Sequence, residues 1–149
     1  MSQQTVRRQC QVVDKEKIQS MCDWPNQTGC LVVEPSQELY KLGFPVRVVH
    51  DCDAILPMAE AHPHQDDLWL CVSGRALFCI GGKLDGERKM GDDGKTVLAP
   101  GIVGGRDIVL EPGHWLHIPA GQPHRHGAQG LACLLIIKIP PPEGEVSIE

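Results

Sequence analysis

The stretch AHPHQDDLWLCVSG, residues 61–74, carries the strongest fold signal of the chain and its first candidate ligands. His62 and His64 are two residues apart, and residues two apart on an extended strand point to the same face. A distant stretch, GHWLHIPAGQPHRH at residues 113–126, adds His124 after a corner rich in proline and glycine. Three imidazoles and one carboxylate form a common ligand set for a first-row transition metal. The candidate metal ligands are therefore His62, His64 and His124, with a carboxylate from the pair Asp66 and Asp67.

The two stretches resemble the paired motifs of small cupins. The first motif reads His-any-His, two to four residues, an acidic residue, six residues and Gly, and Asp67 and Gly74 complete it here. The second motif reads Gly, five residues, Pro-any-Gly, two residues and His, and it ends here at His124. Asp67 stands where the family usually has Glu, and Leu56 and Ala128 replace a usual Gly and Asn. The resemblance implies that His62, His64, Asp67 and His124 bind the metal. It also implies an all-β cupin double-stranded β-helix, a jelly-roll-like barrel with a short N-terminal helical segment.

The length of 149 residues predicts one domain. We expect an N-terminal arm and short helix over 1–30, a cupin barrel over 31–139 and a frayed tail over 140–149. Residues 81–106 are rich in glycine and charge, and we interpret them as an inserted hairpin or loop at the barrel mouth. That insertion is either a lid that shapes access to the metal, or a dimer contact or surface decoration.

Local patterns place further elements. Asp14 is expected to cap a short helix that runs to about Cys22. Residues 38–42 are a candidate strand, and residues 73–75 are expected to form a hairpin turn between two strands. Residues 131–139 are nearly all apolar, which indicates a strand buried on both faces.

Cysteine usage and charge limit the setting and the partners. The seven cysteines are odd in number and include no Cys-any-any-Cys pair, so a disulfide framework is not expected and a reducing cytoplasm is favoured. The net charge of −5 and the lack of a basic patch argue against nucleic acid as a partner. No apolar run approaches the ~20 residues of a spanning helix, and the N-terminus does not read as a signal peptide.

The function expected from these residues is that of a mononuclear metal-binding cupin. The resemblance implies a metal-dependent enzyme of the dioxygenase, lyase or isomerase type, acting on a small, polar, oxygen-rich substrate. Alternatives are a non-catalytic cupin that binds a sugar or organic acid, and a structural barrel with a vestigial site. The metal is one divalent transition ion, and the sequence does not distinguish Fe, Mn, Zn and Ni.

Three further side chains are candidates beside the metal. Glu60 shares the face of His62 by the period of two, which makes it a catalytic group, a partner of a histidine N–H or a substitute ligand. His126 is a candidate acid–base group. Arg47 either holds an anionic substrate or lies on the solvent face. Because the edge strands of a lone barrel need covering, we also expect a homodimer.

Overall fold

The structure is a computed structural model that describes residues 9–23 and 27–149, and these residues are mostly β-strand. The helices are α1 (Lys15–Met21) and α2 (Ser36–Lys41). The strands are β1 (Gly29–Val32), β2 (Val46–Ile55), β3 (Ala59–Ala61), β4 (Asp66–Ile80), β5 (Lys83–Asp85), β6 (Lys89–Met90), β7 (Val97–Ala99), β8 (Gly101–Val103), β9 (Arg106–Leu110), β10 (Trp115–Ile118) and β11 (His124–Ile139). The expected all-β class with a short N-terminal helix is confirmed. Within the described ranges, no helix is both long and apolar enough to cross a membrane.

Two long strands form the spine of the molecule. β4 and β11 are antiparallel and pair from one end, where Asp66 faces Ile139, to the other, where Ile80 faces His124. β11 also pairs with β2 and β3, and β4 also pairs with β9 and β10. The resulting nine-stranded sheet curls into a half-barrel, so the inner faces of distant strands come close together.

The expected hairpin turn at residues 73–75 is wrong. Both halves of β4 pair with β11 in the same direction, so the chain continues as one strand. Gly74 has a φ of 75° and lies so close to the backbone of Leu131 that a Cβ there would collide with it. Glycine is therefore required at this point for a bend within a strand.

The main core lies inside the curled sheet, and a second core lies outside it. Leu134 and Ile136 of β11 pack with Trp69 and Phe78 of β4 in the main core. The strand period of two sends alternate side chains to opposite faces. Cys133 therefore points to the second core, together with Met21 of α1 and Val48 of β2. Residues 131–139 are buried on both faces for most of their length, as the apolar run predicts.

A disulfide corrects the expectation that the cysteines stay free. Cys22, directly after α1, is bonded to Cys133 in the middle of β11, with a Cα–Cα distance of 5.7 Å. The two residues are 111 positions apart, and only the docking of α1 on the outer face of the sheet brings them together. Among the described cysteines, Cys10, Cys30, Cys52, Cys71 and Cys79 are free thiols.

The candidate strand at residues 38–42 is also wrong, because α2 occupies this segment. Ser36 and Leu39 are three residues apart and line the same apolar pocket, which is a helical spacing. Ser36 is buried, and its hydroxyl accepts a hydrogen bond from the backbone N–H of Val48 at 3.0 Å. This bond holds the helix against β2.

The insertion and the C-terminal tail pack on β3 at the other side of the sheet. Strand β7 pairs with β3, and Leu84 and Ala99 of the insertion bury Ala59 and Ala61. The tail is held and not frayed, because the N–H of Val146 donates to the carbonyl of Pro63 at 2.8 Å. Both segments therefore support the strand that carries Glu60. The arm predicted before residue 9 lies outside the described residues.

Candidate metal centre

A cavity of about 320 Å³ opens from the inner face of the curled sheet, and we call it the central cavity. Its lining includes acidic, basic and imidazole side chains together with the aromatic face of Trp69. Thr96 and Asp93 from the insertion also line it. The insertion therefore borders the cavity, as expected for a segment at the barrel mouth.

Four side chains converge at one end of this cavity. Glu60 of β3 and His124 of β11 are direct cross-strand neighbours, and Glu60 Oε1 lies 3.3 Å from His124 Nε2. His62 follows β3 by one residue, and its Nε2 lies 3.8 Å from the same Glu60 oxygen. Asp67 Oδ2 lies 3.3 Å from His124 Nε2 and 3.5 Å from His62 Nε2. Two imidazoles and two carboxylates thus present oxygen and nitrogen atoms to one point.

The structure does not bring His64 to this group. Strand β3 ends at Ala61, and Pro63 and His64 lie in a turn, so the strand period of two does not carry past His62. The His64 side chain is 42% exposed, and its Nε2 lies 3.6 Å from Glu145 Oε1 in the tail. His64 is placed at the surface, while Glu60 takes the position that sequence analysis gave to a histidine.

The first motif can be read in a second register that matches this geometry. Glu60-any-His62, four residues and Asp67 has the same spacing as the motif quoted for His-any-His. The signal that favours this register is Pro63, because proline cannot donate to a strand ladder and is disfavoured between two strand ligands. The visible His-any-His pair concealed it.

Each imidazole of the group is oriented by a hydrogen bond from its other nitrogen. His124 Nδ1 donates to the carbonyl of Gln122 at 3.0 Å. His62 Nδ1 lies 3.0 Å from the hydroxyl of Thr96, which donates to Asp93 Oδ2 at 2.5 Å. Imidazoles that bind metals usually have such a partner on the second nitrogen, which fixes the tautomer and the ring orientation.

Lys138 supplies a positive charge inside the group. Its Nζ donates to Asp67 Oδ1 at 2.6 Å and lies 3.1 Å from His62 Nε2. Because an ammonium group can only donate, His62 Nε2 accepts and His62 Nδ1 carries the proton that is given to Thr96. Lys138 faces Asp67 directly across β11 and β4, so strand register positions this pair.

The pKa values of the group show how strongly its charges interact. Burial by itself would lower the pKa of His124, but Asp67 and Glu60 raise it to about 9. Burial would raise the pKa of Glu60, but His124, His62 and Lys138 lower it to about 2. The pKa of Asp67 is likewise held well below its usual range by His124, His62 and Lys138, against the effect of burial.

The donor set fits a divalent transition metal. Ligand bonds of ~2.0–2.2 Å at the corners of a tetrahedron separate the donor atoms by roughly 3.3–3.6 Å. Three separations within the group, 3.3, 3.3 and 3.5 Å, fall in this range, and the fourth, 3.8 Å between His62 Nε2 and Glu60 Oε1, is slightly longer. Asp67 Oδ2 and His124 Nε2 are buried and face each other at 3.3 Å, and a metal would take the place of the proton that His124 carries between them. The two carboxylates are balanced by the Lys138 ammonium and a protonated His124, and a divalent cation carries the same charge.

The other candidate groups lie deeper in the cavity wall. His126 is buried, contacts the rings of Trp69 and Phe78, and its Nδ1 lies 2.7 Å from Asp51 Oδ2. Arg47 lines the cavity, which favours the inward placement over the solvent face, and its guanidinium lies 4.1 Å above the centre of the Tyr40 ring. No sequence pattern indicated Lys138 or Asp51 as parts of a site.

Comparison with solved structures finds chains of partly similar shape. The chain matches E. coli ycfD with a TM-score of 0.55 and 20% identity, over 80% of this chain and 37% of that one. A cupin protein from Bacteroides fragilis matches with a TM-score of 0.47 and 16% identity, over 81% and 84% of the two chains. A hydroquinone 1,2-dioxygenase matches with a TM-score of 0.45 and 23% identity, over 70% and 68%.

The chain has a cupin fold. No protein-family model matches its sequence, and no curated protein matches it. The chain covers 37% of a DMSP lyase chain and 44% of an HppE chain, so it spans less than half the length of these neighbours. The likeness at these identities concerns the fold.

Proposed function

We propose that this cupin binds one divalent transition metal through Glu60, His62, Asp67 and His124, and uses it to act on a small, polar, oxygen-rich molecule in the central cavity. The observation that carries the proposal is the convergence of two carboxylates and two oriented imidazoles within 3.3–3.8 Å. The predicted ligand set is retained except that Glu60 replaces His64.

The surrounding residues support binding and proton movement beside such an ion. A metal in this group would polarise a bound oxygen or activate water. Lys138 has a flexible stem and three donor positions, so its ammonium can leave His62 and donate to an anionic substrate oxygen. His126, whose Nδ1 is held by Asp51, is the candidate for proton transfer, and Trp69 provides an apolar wall.

The paired histidines of the first motif provide the test. His62→Ala should lose most of the bound metal, measured by elemental analysis and calorimetric titration with Mn²⁺, Fe²⁺, Zn²⁺ and Ni²⁺. His64→Ala is the matched control, two residues away, and should keep wild-type occupancy because its side chain lies with Glu145 at the surface. Loss of metal in His64→Ala with retention in His62→Ala would restore the His-any-His assignment and overturn the proposal.

A non-catalytic binding protein is the second candidate, and the mixed lining of the cavity favours it as well. Arg47 and Lys138 provide positive charge for an organic acid without any need for a reaction. Oxygen uptake and product formation, measured with candidate acids and catechols on metal-loaded protein, separate the two functions. Binding without turnover across these compounds would favour the second.

The expected homodimer stays a prediction, which light scattering at micromolar concentration tests.

A further inference from the structure

A second cluster of ligand-type side chains lies in the wall of the same cavity. Cys30, Asp51 and His126 each offer one ligand atom, and these three atoms lie within 4.8 Å of one another. Cys30 and His126 line the central cavity, so an ion can reach them from it. None of the three belongs to the group around Glu60 and His62.

The strands hold this cluster in place. Cys30 of β1 and Asp51 of β2 face each other directly across the two strands, and β2 pairs in turn with β11, which carries His126. Side chains on neighbouring strands are better fixed than side chains on loops, which favours a site of defined geometry. The inner face of β2 carries Asp51 in line with Val49 and Arg47, both of which line the cavity.

Asp51 has an oxygen that the fold leaves unused. Its side chain is fully buried, and Oδ2 accepts from His126 Nδ1 at 2.7 Å. Oδ1 accepts no N–H or O–H hydrogen bond. The Cys30 thiol, whose pKa is raised by burial and by its contact with Asp51, is only a weak donor to this carboxylate. A buried carboxylate oxygen without a partner costs free energy, and a bound cation is one way in which proteins satisfy it.

We propose that Cys30, Asp51 and His126 form a second metal site, which takes Zn²⁺ or a similar borderline divalent ion. Sulfur, nitrogen and oxygen from these residue types are the ligands that zinc uses in proteins, and three protein ligands leave a position open to the cavity. On binding, the Cys30 thiol loses its proton to solvent, the His126 proton moves from Nδ1 to Nε2, and the ion replaces the hydrogen bond between Asp51 and His126.

An ion at this second site has a consequence for the first. With His126 engaged as a ligand, its imidazole is not available for proton transfer. Occupation of the second site should therefore suppress any reaction that uses His126, while the metal at Glu60, His62, Asp67 and His124 stays bound. The second site does not depend on the function proposed for the first.

Cobalt is the probe, because Co²⁺ bound to a thiolate gives a charge-transfer absorption that oxygen and nitrogen ligands do not give. The titration is done on the full chain without reductant, so that Cys22 and Cys133 remain in their disulfide. Wild-type protein should bind two equivalents of Co²⁺ and show the thiolate band. Cys30→Ser should lose the band and one equivalent. Cys79→Ser is the matched control, a half-buried free thiol outside the central cavity, and should keep both.

Two further variants keep the outcome decisive. His62→Ala should lose the other equivalent and keep the thiolate band, which separates the second site from the first. Asp51→Asn preserves the shape of the side chain. It should weaken the Co²⁺ affinity of the second site, measured from the thiolate band, at least tenfold. A wild-type protein without the band at saturating Co²⁺, or a band that survives Cys30→Ser in folded protein, overturns the second site.

Discussion

The charged end of the β4–β11 pair, at Asp67 and Lys138, and its apolar middle are built from opposite chemistry. At one end, Asp67 faces Lys138 across the strands, and buried charges surround them. Toward the middle, Trp69 of β4 and Leu134 of β11 lie in an apolar core that excludes water. Apolar burial stabilises the fold directly, whereas buried charges contribute only when every partner is present. The charged end is therefore where the chain gives up stability for a site.

The largest effect should come from breaking the charged end. Asp67→Asn removes the negative partner of Lys138 and leaves a buried ammonium, which should lower the free energy of unfolding by about 3–5 kcal/mol. The measurement is urea unfolding of protein stripped of metal with a chelator. A loss below about 1 kcal/mol would mean that the Asp67–Lys138 pair is solvated. The contrast between the charged end and the apolar middle would then be weaker than the structure shows.

Substitutions in the apolar middle of the β4–β11 pair should change stability through packing alone. Leu134 is fully buried in the main core, so Leu134→Ala should lower the free energy of unfolding by about 2–5 kcal/mol by leaving a cavity. Metal affinity should remain within about twofold of wild type in the folded protein, because no ligand touches this core position. A parallel loss of metal affinity would show that the charged end and the apolar middle are coupled.

The pH dependence of stability in metal-free protein should reveal the charges of the candidate metal group. The pKa of His124 is raised from 6.5 to about 9, so its contribution is fully present below about pH 6.5 and is lost as the pH rises through 9. The pKa of Glu60 is lowered from 4.5 to about 2, so its contribution is present above about pH 4.5 and is lost toward pH 2. Stability should be highest between about pH 4.5 and 6.5.

Between pH 6.5 and 10, the His124 contribution that disappears is about 3 kcal/mol. Urea midpoints measured across this range, with and without chelator, give the check. His124→Gln should flatten this alkaline slope. A wild-type midpoint that does not change above pH 6.5 would contradict the charge arrangement.

The smallest effect should come from the insertion. Thr96 accepts from His62 Nδ1, and loss of such an orienting partner costs about 10- to 100-fold in metal affinity. Thr96→Val should show this loss in calorimetric titration, whereas Thr96→Ser keeps the hydroxyl and should stay close to wild type. Equal affinities for the two variants would show that the insertion borders the cavity without orienting the ligand.

Sequence patterns located the fold and drew attention to the two stretches that carry the candidate site. The apolar run of β11, the cap at Asp14 and the placement of Asp67 and His124 in paired stretches were all visible without coordinates. The structure places His64 at the surface and not beside His62, because a period of two holds only while the strand lasts and β3 ends at Ala61. The turn expected at residues 73–75 was misplaced because glycine serves both turns and bends within strands.

The sequence by itself determined the strand period, the ligand types and the order of the two motifs, because these follow from local backbone geometry and side-chain chemistry. Only the tertiary structure decided that Glu60 joins His62, that Lys138 neutralises Asp67 and that Cys22 reaches Cys133. These pairs are set by which strands become neighbours when the sheet curls. Cross-strand register is a long-range property, and the spacing of residues along one strand does not contain it.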